Sequence, residues 1–81
     1  MARRVSEEQK RAAALQSSRR MISRGERPGY RLEQRSDGTW TVVGFPGIKL
    51  AASGRREARA AARAMIATFL DVALESFDLD A

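Results

Sequence analysis

Trp40-Thr-Val-Val-Gly-Phe-Pro-Gly-Ile48 specifies the centre of this chain, together with Ser53-Gly-Arg-Arg-Glu-Ala58 and the closing Ser76-Phe-Asp-Leu-Asp80. The first stretch is typical of a strand that reverses at a Pro-Gly turn, because Pro fixes φ and Gly accepts a positive φ. The second opens a long Ala-rich helix, and the third alternates like a short strand. These stretches predict a strand, a turn, another strand, a packed helix and a returning strand.

Upstream of Trp40 the apolar period is also two. Tyr30, Leu32 and Gln34 alternate with charged residues, which indicates an amphipathic strand. Ser36-Asp-Gly-Thr39 contains the Asp-Gly pair preferred in tight hairpins, so this strand pairs with the one that begins at Trp40. A third strand follows from Ile48 to Ala52. Trp40 itself is expected to be a core anchor.

Helical periods flank this sheet on both sides. Ser6-Glu-Glu-Gln9 has the form of a capping box, and a helix is expected from Glu7 to Arg24, ending at Gly25 in the left-handed conformation. Its thin apolar stripe leaves open whether it docks on the sheet or stays free. The second helix is expected to begin after Ser53 or Gly54 and to end near Val72 or Leu74. Its sheet-facing positions are predicted to be Ala58, Ala61, Ala62, Met65, Phe69 and Val72.

The predicted fold is therefore α+β: an N-terminal helix, a three-stranded antiparallel sheet, a packed long helix and a short C-terminal strand (α-β-β-β-α-β). We divide the chain into a basic helical arm, residues 1–28, and a core, residues 29–81. The 81 residues allow one small domain, and the Ala-rich helix buries little area per residue. A small core of this kind favours a homodimer.

The composition excludes most chemistry. The chain has no His and no Cys, which removes the commonest general base, thiolate chemistry and the usual metal ligands. Asp71, Glu75, Asp78 and Asp80 lack a ligand loop and are interpreted as a charged strand edge. We expect no catalytic residue, no metal and no cofactor, and hence no enzyme. No apolar run is long enough to cross a membrane, and a cytoplasmic location is expected.

Positive charge concentrates at the N-terminal end. Residues 1–35 hold ten Arg or Lys against four Glu, a net charge of +6, whereas residues 36–81 hold five against six acids, a net charge of −1. A basic arm on a near-neutral domain predicts contact with nucleic acid phosphates. The candidate contact residues lie mostly on the first helix, with a second stripe on the Ala-rich helix: Arg3, Arg4, Lys10, Arg11, Arg19, Arg20, Arg24, Arg27, Arg56, Arg59 and Arg63.

Residues 30–81 resemble the HicB family of bacterial antitoxins. The resemblance rests on five short motifs: Gly38-Thr-Trp40, Phe45-Pro-Gly-Ile48, Gly54-Arg-Arg-Glu-Ala58, Ala67-Thr-Phe-Leu-Asp-Val72 and Glu75-Ser-Phe-Asp-Leu79. It implies a non-catalytic β-β-β-α-β unit, a truncated ribonuclease-H-like fold, that blocks a partner toxin, a small ribonuclease. It also implies a dimer that represses its own operon by binding DNA. No site residue of the family carries over to this sequence.

The chain departs from the family pattern at both ends. Family members usually begin at the first strand, whereas a basic helix precedes it here, and no helix-turn-helix or ribbon-helix-helix segment follows the last strand. DNA contact is therefore expected at the N-terminal arm.

Two other readings remain open. The order α-β-β-β-α is also that of the double-stranded-RNA-binding domain, and Ala52-Ser-Gly-Arg-Arg-Glu-Ala-Arg-Ala-Ala-Ala62 is similar to the basic start of that domain's last helix. A small DNA-binding domain of phage integrases is the other. In the double-stranded-RNA-binding reading residues 77–81 have no role.

Overall fold

The computed structural model describes residues 7–80, and the α+β order predicted from the sequence is confirmed. The elements are α1 (Glu7–Ser23), β1 (Gly29–Gln34), β2 (Trp40–Val43), β3 (Lys49–Leu50), α2 (Arg55–Leu70), a single 3-10 turn (Leu74–Ser76) and β4 (Asp78–Asp80). The capping box at Ser6 and the terminal Ala81 lie outside the described residues. The third strand and α2 both end earlier than predicted.

The four strands form one mixed sheet in the order β3-β2-β1-β4. β1, β2 and β3 are antiparallel neighbours, as the two turns require. β4 lies beside β1 and runs parallel to it, with Leu79 opposite Tyr30. The chain therefore crosses the sheet through α2 to place its last strand at the far edge.

Alternation along the strands gives the sheet two different faces. On the inner face Tyr30, Leu32, Trp40, Val42 and Leu79 are buried. The two helices contact each other, and both pack against the core on this inner face. The outer face carries the charged residues of β1, β3 and β4 and is exposed.

Aromatic residues join the two layers. The Tyr30 ring lies 5.5 Å from Phe45 and 6.1 Å from Phe77, both in edge-to-face geometry. Phe45 and Phe77 are almost completely buried, at 0% and 1% exposure. Phe45 follows β2 directly, so the Pro-Gly turn that it begins is fixed to the core.

The buried face of α2 is rotated from the predicted one. Ala58, Ala62, Ile66 and Leu70 are buried, a strict four-residue spacing, and Ile66 and Leu70 were absent from the prediction. Ala61, Met65, Phe69 and Val72 are only partly buried. Arg59, which lies on the same side of α2 as Leu70, donates a hydrogen bond to the Leu79 carbonyl oxygen of β4, so this side of the helix faces the added edge strand.

The N-terminal helix docks on the core, a point that the sequence left open. Leu15 and Ile22 pack against the core cluster as its apolar stripe suggested. Between them Ser18 is buried, and its hydroxyl hydrogen-bonds the Tyr30 hydroxyl. The helix ends as predicted, with Gly25 at φ 80°.

Candidate nucleic-acid interface

The cations of α1 divide into an outward-facing set and a docking set. We call Lys10, Arg20 and Arg24 the α1 stripe. At 100° per residue these three positions fall within one arc on the side away from Leu15 and Ile22. All three are exposed. Arg24 pairs with Glu26 at 2.6 Å, and this pair is itself well exposed, so the stripe remains accessible.

Arg11 and Arg19 belong to the docking set. The Arg11 guanidinium carbon lies 4.9 Å from the centre of the Phe69 ring, a cation–π contact. Arg19 Nη2 donates a hydrogen bond to the Phe69 carbonyl oxygen at 3.1 Å. Both side chains therefore hold α1 against the end of α2, although Arg19 stays exposed and Arg11 is half-buried.

Further candidate cations tie the C-terminal segment to the rest of the molecule. Arg27 Nη2 pairs with Asp78 Oδ1 at 2.7 Å. Arg59 Nε donates to the Leu79 carbonyl oxygen at 3.1 Å, and Arg63 Nη2 donates to the Leu74 carbonyl oxygen at 3.2 Å. Arg56 is exposed beside them. In the predicted stripe on α2, Arg59 and Arg63 thus bond backbone carbonyl oxygens of the C-terminal segment. The predicted contacts Arg3 and Arg4 lie outside the described residues.

A second basic region lies on the outer face of the sheet, and its residues were not among the contacts predicted from the sequence. Arg31, Arg35 and Lys49 are exposed there, and Thr41 lies directly opposite Lys49 in the β2–β3 pair. The signal was present in the sequence, because the alternation of β1 already places Arg31 and Arg35 on one face. Lys49 could be added only once the register of β3 was known.

Burial and hydrogen bonds shift the pKa of Tyr30, Asp37 and Glu57. Burial raises the pKa of the Tyr30 hydroxyl, and its hydrogen bond with Ser18 partly opposes that rise. Hydrogen bonds from Thr39 hold the pKa of Asp37 below its usual value. Hydrogen bonds from Ser53 do the same for Glu57, at the start of α2. Within residues 7–80 no cluster of His, Cys, Asp and Glu is arranged to hold a metal ion.

Trp40 does not present its ring for stacking on a base. It is 6% exposed and packs in the core, which confirms its predicted role as an anchor. Its indole Nε1 is buried with no hydrogen-bond partner among the described residues. The basic surfaces are therefore the features of this part of the chain that suit a charged macromolecule.

Neither described helix is both long and apolar enough to cross a membrane. Comparisons of the chain with protein-family models, curated proteins and solved structures found no match.

Proposed function

We propose that this chain is a non-enzymatic, cytoplasmic binding protein of a bacterium or phage, similar to HicB antitoxins, that contacts nucleic acid through the α1 stripe. A toxin-like ribonuclease is the proposed protein partner of its core, and a homodimer the proposed assembly. The observation that carries the nucleic-acid part is the outward orientation of Lys10, Arg20 and Arg24 on a docked helix.

The dimensions of the stripe suit a phosphate backbone. Lys10 and Arg24 are fourteen positions apart, which corresponds to about 21 Å along a helix. Duplex DNA carries one negative charge per about 1.7 Å of its axis, so three cations over this length meet several phosphates. Because α1 is held by Ser18, Arg11 and Arg19, the helix needs no further ordering on binding, and only the exposed side chains lose freedom.

The position of β4 supports the HicB-like interpretation of the core. Phe77 and Leu79 are 1% and 3% exposed, and β4 completes the sheet beside β1. In a double-stranded-RNA-binding domain of α-β-β-β-α type these residues would have no place. One observation favours that alternative: α1 and α2 both pack on the core side of the sheet, which leaves Arg55 and Arg56 exposed at the start of α2.

Fluorescence anisotropy of the full chain with duplex DNA and with duplex RNA, over a salt series, tests the proposal. The triple variant Lys10→Gln, Arg20→Gln, Arg24→Gln is expected to bind more weakly and to reduce the salt slope by roughly one unit per cation removed. The control removes an exposed cation from the opposite side of the molecule, Arg31→Gln, and the losses in the two variants are compared per cation removed.

The outcomes separate the alternatives. Binding weakened by the α1 variant and retained by the control supports the proposal. Equal loss in both variants would mean diffuse attraction and would contradict a defined α1 contact. Loss only in Arg55→Gln, Arg56→Gln, with preference for duplex RNA, would favour the alternative.

The partner is tested by co-expression with the product of the neighbouring gene. We expect a complex that co-elutes on size exclusion and that suppresses any ribonuclease activity of that product. Free elution of both proteins, with undiminished RNA cleavage, would contradict the antitoxin part while leaving the nucleic-acid part intact.

A further inference from the structure

A hollow of about 370 Å³ lies on the outer face of the sheet, above β2. Arg35, Thr41 and Lys49 border it on the three antiparallel strands, and the loop between β2 and β3 forms its wall. The remaining lining residues belong to β2 and to that loop: Val42, Phe45, Pro46, Gly47 and Ile48. None of the residues of the α1 stripe lines the hollow.

The wall of the hollow is held in place from behind. Phe45 and Ile48, at the two ends of the turn, are 0% and 3% exposed and anchor the loop in the core. Gly47 has φ 93°, and a Cβ added there would lie 3.2 Å from the Arg11 side chain. The loop is thus packed between α1 and the hollow, and its shape is present before any ligand arrives.

The lining is cationic and contains no carboxylate. Thr41 and Lys49 are a direct cross-strand pair, so both project onto the outer face from neighbouring strands. The nearest acid to Lys49 is Asp37, whose Oδ2 lies 3.9 Å from Nζ. That distance is at the limit of an ion pair, and both partners are well exposed, so water and salt screen it.

The Asp37 carboxylate is hydrogen-bonded within its own hairpin turn. Its Oδ1 accepts hydrogen bonds from the Thr39 amide at 2.9 Å and from the Thr39 hydroxyl at 2.6 Å, within the hairpin turn. Lys49 and Arg35 add smaller electrostatic contributions to the lowered pKa of Asp37, so both cations lie near this carboxylate. Glu33, opposite Thr41 in the β1–β2 pair, is outside the lining.

We infer that this hollow binds a phosphoryl group, with Arg35 and Lys49 as charge-assisted donors and the Thr41 hydroxyl as a third donor. Two cations and a hydroxyl around one open space match the several acceptor oxygens of a phosphate, and a guanidinium engages two of them at once. The half-buried ring of Pro46 offers an apolar wall to whatever the phosphate is attached to. The source is either free phosphate or a nucleotide. The inference goes beyond the α1 contact and does not depend on it.

Two-dimensional ¹H–¹⁵N NMR of the full chain tests this inference, with titration of inorganic phosphate and of AMP at constant ionic strength. We expect saturable amide shifts confined to Thr41, Gly47 and Lys49 and their neighbours. Arg35→Gln, Lys49→Gln should weaken binding about tenfold or more, because both charge-assisted bonds are lost. Arg31→Gln removes a cation from the same face outside the hollow and should leave binding unchanged.

A third variant separates a ligand site from an internal ion pair. Asp37→Asn removes the competing carboxylate and should tighten phosphate binding about two- to threefold, as the loss of a screened surface charge allows. Tighter binding of AMP than of phosphate would support contact of the nucleoside with Pro46, and equal binding would support a site for the anion alone. Shifts that never saturate or that spread to α1 would overturn the inference. So would binding that Arg31→Gln weakens as much as Arg35→Gln, Lys49→Gln does.

Discussion

Asp71 ends α2 in a conformation that suits glycine. Its φ and ψ are 57° and 51°, the left-handed region. The Val72 amide bonds the Ala67 carbonyl oxygen at 3.1 Å and the Asp71 amide bonds that of Thr68 at 3.3 Å, the two bonds of a Schellman motif. Helix α1 ends in the same way, but there Gly25 occupies the equivalent position. The chain therefore carries a strained and an unstrained copy of one motif.

Asp71→Gly is expected to raise the free energy of unfolding by about 0.5–1 kcal/mol, because it relieves the Cβ strain at a positive φ and removes a negative charge from a helix C-terminus. The midpoint of urea unfolding measures this. Asp71→Ala, which removes the charge and keeps the strain, is the control and should show at most the smaller gain that comes from the charge. Gly25→Ala should destabilise the protein through its positive φ alone, because no atom lies within 4 Å of the added Cβ. A lower midpoint for Asp71→Gly would contradict this account.

Ser18 and Tyr30 form the polar contact between α1 and the sheet. Both residues are buried, at 5% and 6% exposure, and their hydroxyls hydrogen-bond each other. Removal of either hydroxyl leaves the other buried without that hydrogen-bond partner, which lowers the free energy of unfolding. The same burial raises the pKa of Tyr30 above its ordinary value of 10.0.

The raised pKa predicts a loss of stability in alkali. The folded state holds the Tyr30 proton more tightly than the unfolded state does, so its contribution is complete below pH 10.0 and is lost as the pH rises through the folded pKa. Urea unfolding of Tyr30→Phe, compared with the natural chain from pH 8 to pH 11, checks this. The variant should be less stable at pH 8, and the gap should close as the pH rises. A gap independent of pH would mean that Tyr30 does not titrate differently in the two states.

At the scale of elements, β4 forms an edge of the sheet that Arg59 covers. The Asp78 amide bonds the Pro28 carbonyl oxygen at 2.9 Å, toward β1, so the neighbouring Leu79 carbonyl points to the open side. Arg59 Nε donates to that oxygen. A side chain from α2 thus occupies an acceptor that an incoming strand would use.

Arg59→Ala is expected to promote self-association through β4, in addition to a loss of about 1 kcal/mol for the hydrogen bond. Sedimentation velocity over a concentration series measures the association. Arg63→Ala is the matched control, because Arg63 bonds the Leu74 carbonyl oxygen in the 3-10 turn, away from the strand. Unchanged sedimentation of Arg59→Ala, or equal association of both variants, would mean that Arg59 does not guard the edge.

The local elements were predictable because turns and periods are local. Asp37-Gly38, Pro46-Gly47 and Gly25 each act on their own few residues, and the structure has its reversals there. The placement of β4 beside β1 was not predictable, since nothing within residues 77–80 specifies a neighbour nearly fifty positions away. Without that neighbour, the rotation of α2 toward Leu70 could not be derived either.

At the scale of the whole molecule, the same limit applies to the candidate sites. Net charge located a basic first helix, but only docking separates the outward Lys10 and Arg20 from Arg11 and Arg19, which hold α2. The hollow needs three strands and a folded loop before Arg35 and Lys49 share a space. Composition predicts nucleic acid as the partner, which stays a prediction, and tertiary contacts decide which cations are available for it.

The division of the chain into residues 1–28 and 29–81 raises the question whether the two parts unfold separately or together. Leu15 and Ile22 pack against the core cluster, and the Ser18 and Tyr30 hydroxyls hydrogen-bond each other. We therefore expect one cooperative transition for the full chain, monitored in urea by Trp40 fluorescence for the core and by circular dichroism for the helices.

Leu15→Ala, Ile22→Ala tests this cooperation in the full chain. Each partly buried side chain is expected to contribute roughly 1–2 kcal/mol, below the 2–5 kcal/mol of fully buried ones, so the Trp40 midpoint should fall although neither residue belongs to residues 29–81. Ala13→Gly, Ser17→Gly, on the exposed face of α1, lowers helix propensity without touching the core, and in one cooperative unit it should also lower the free energy of unfolding reported by Trp40, by roughly 1–2 kcal/mol. A Trp40 midpoint that the glycine variant leaves unchanged would contradict a single cooperative transition. A midpoint unchanged by the first variant would make the arm and the core independent units, and α1 would then present its cations without stabilising the fold.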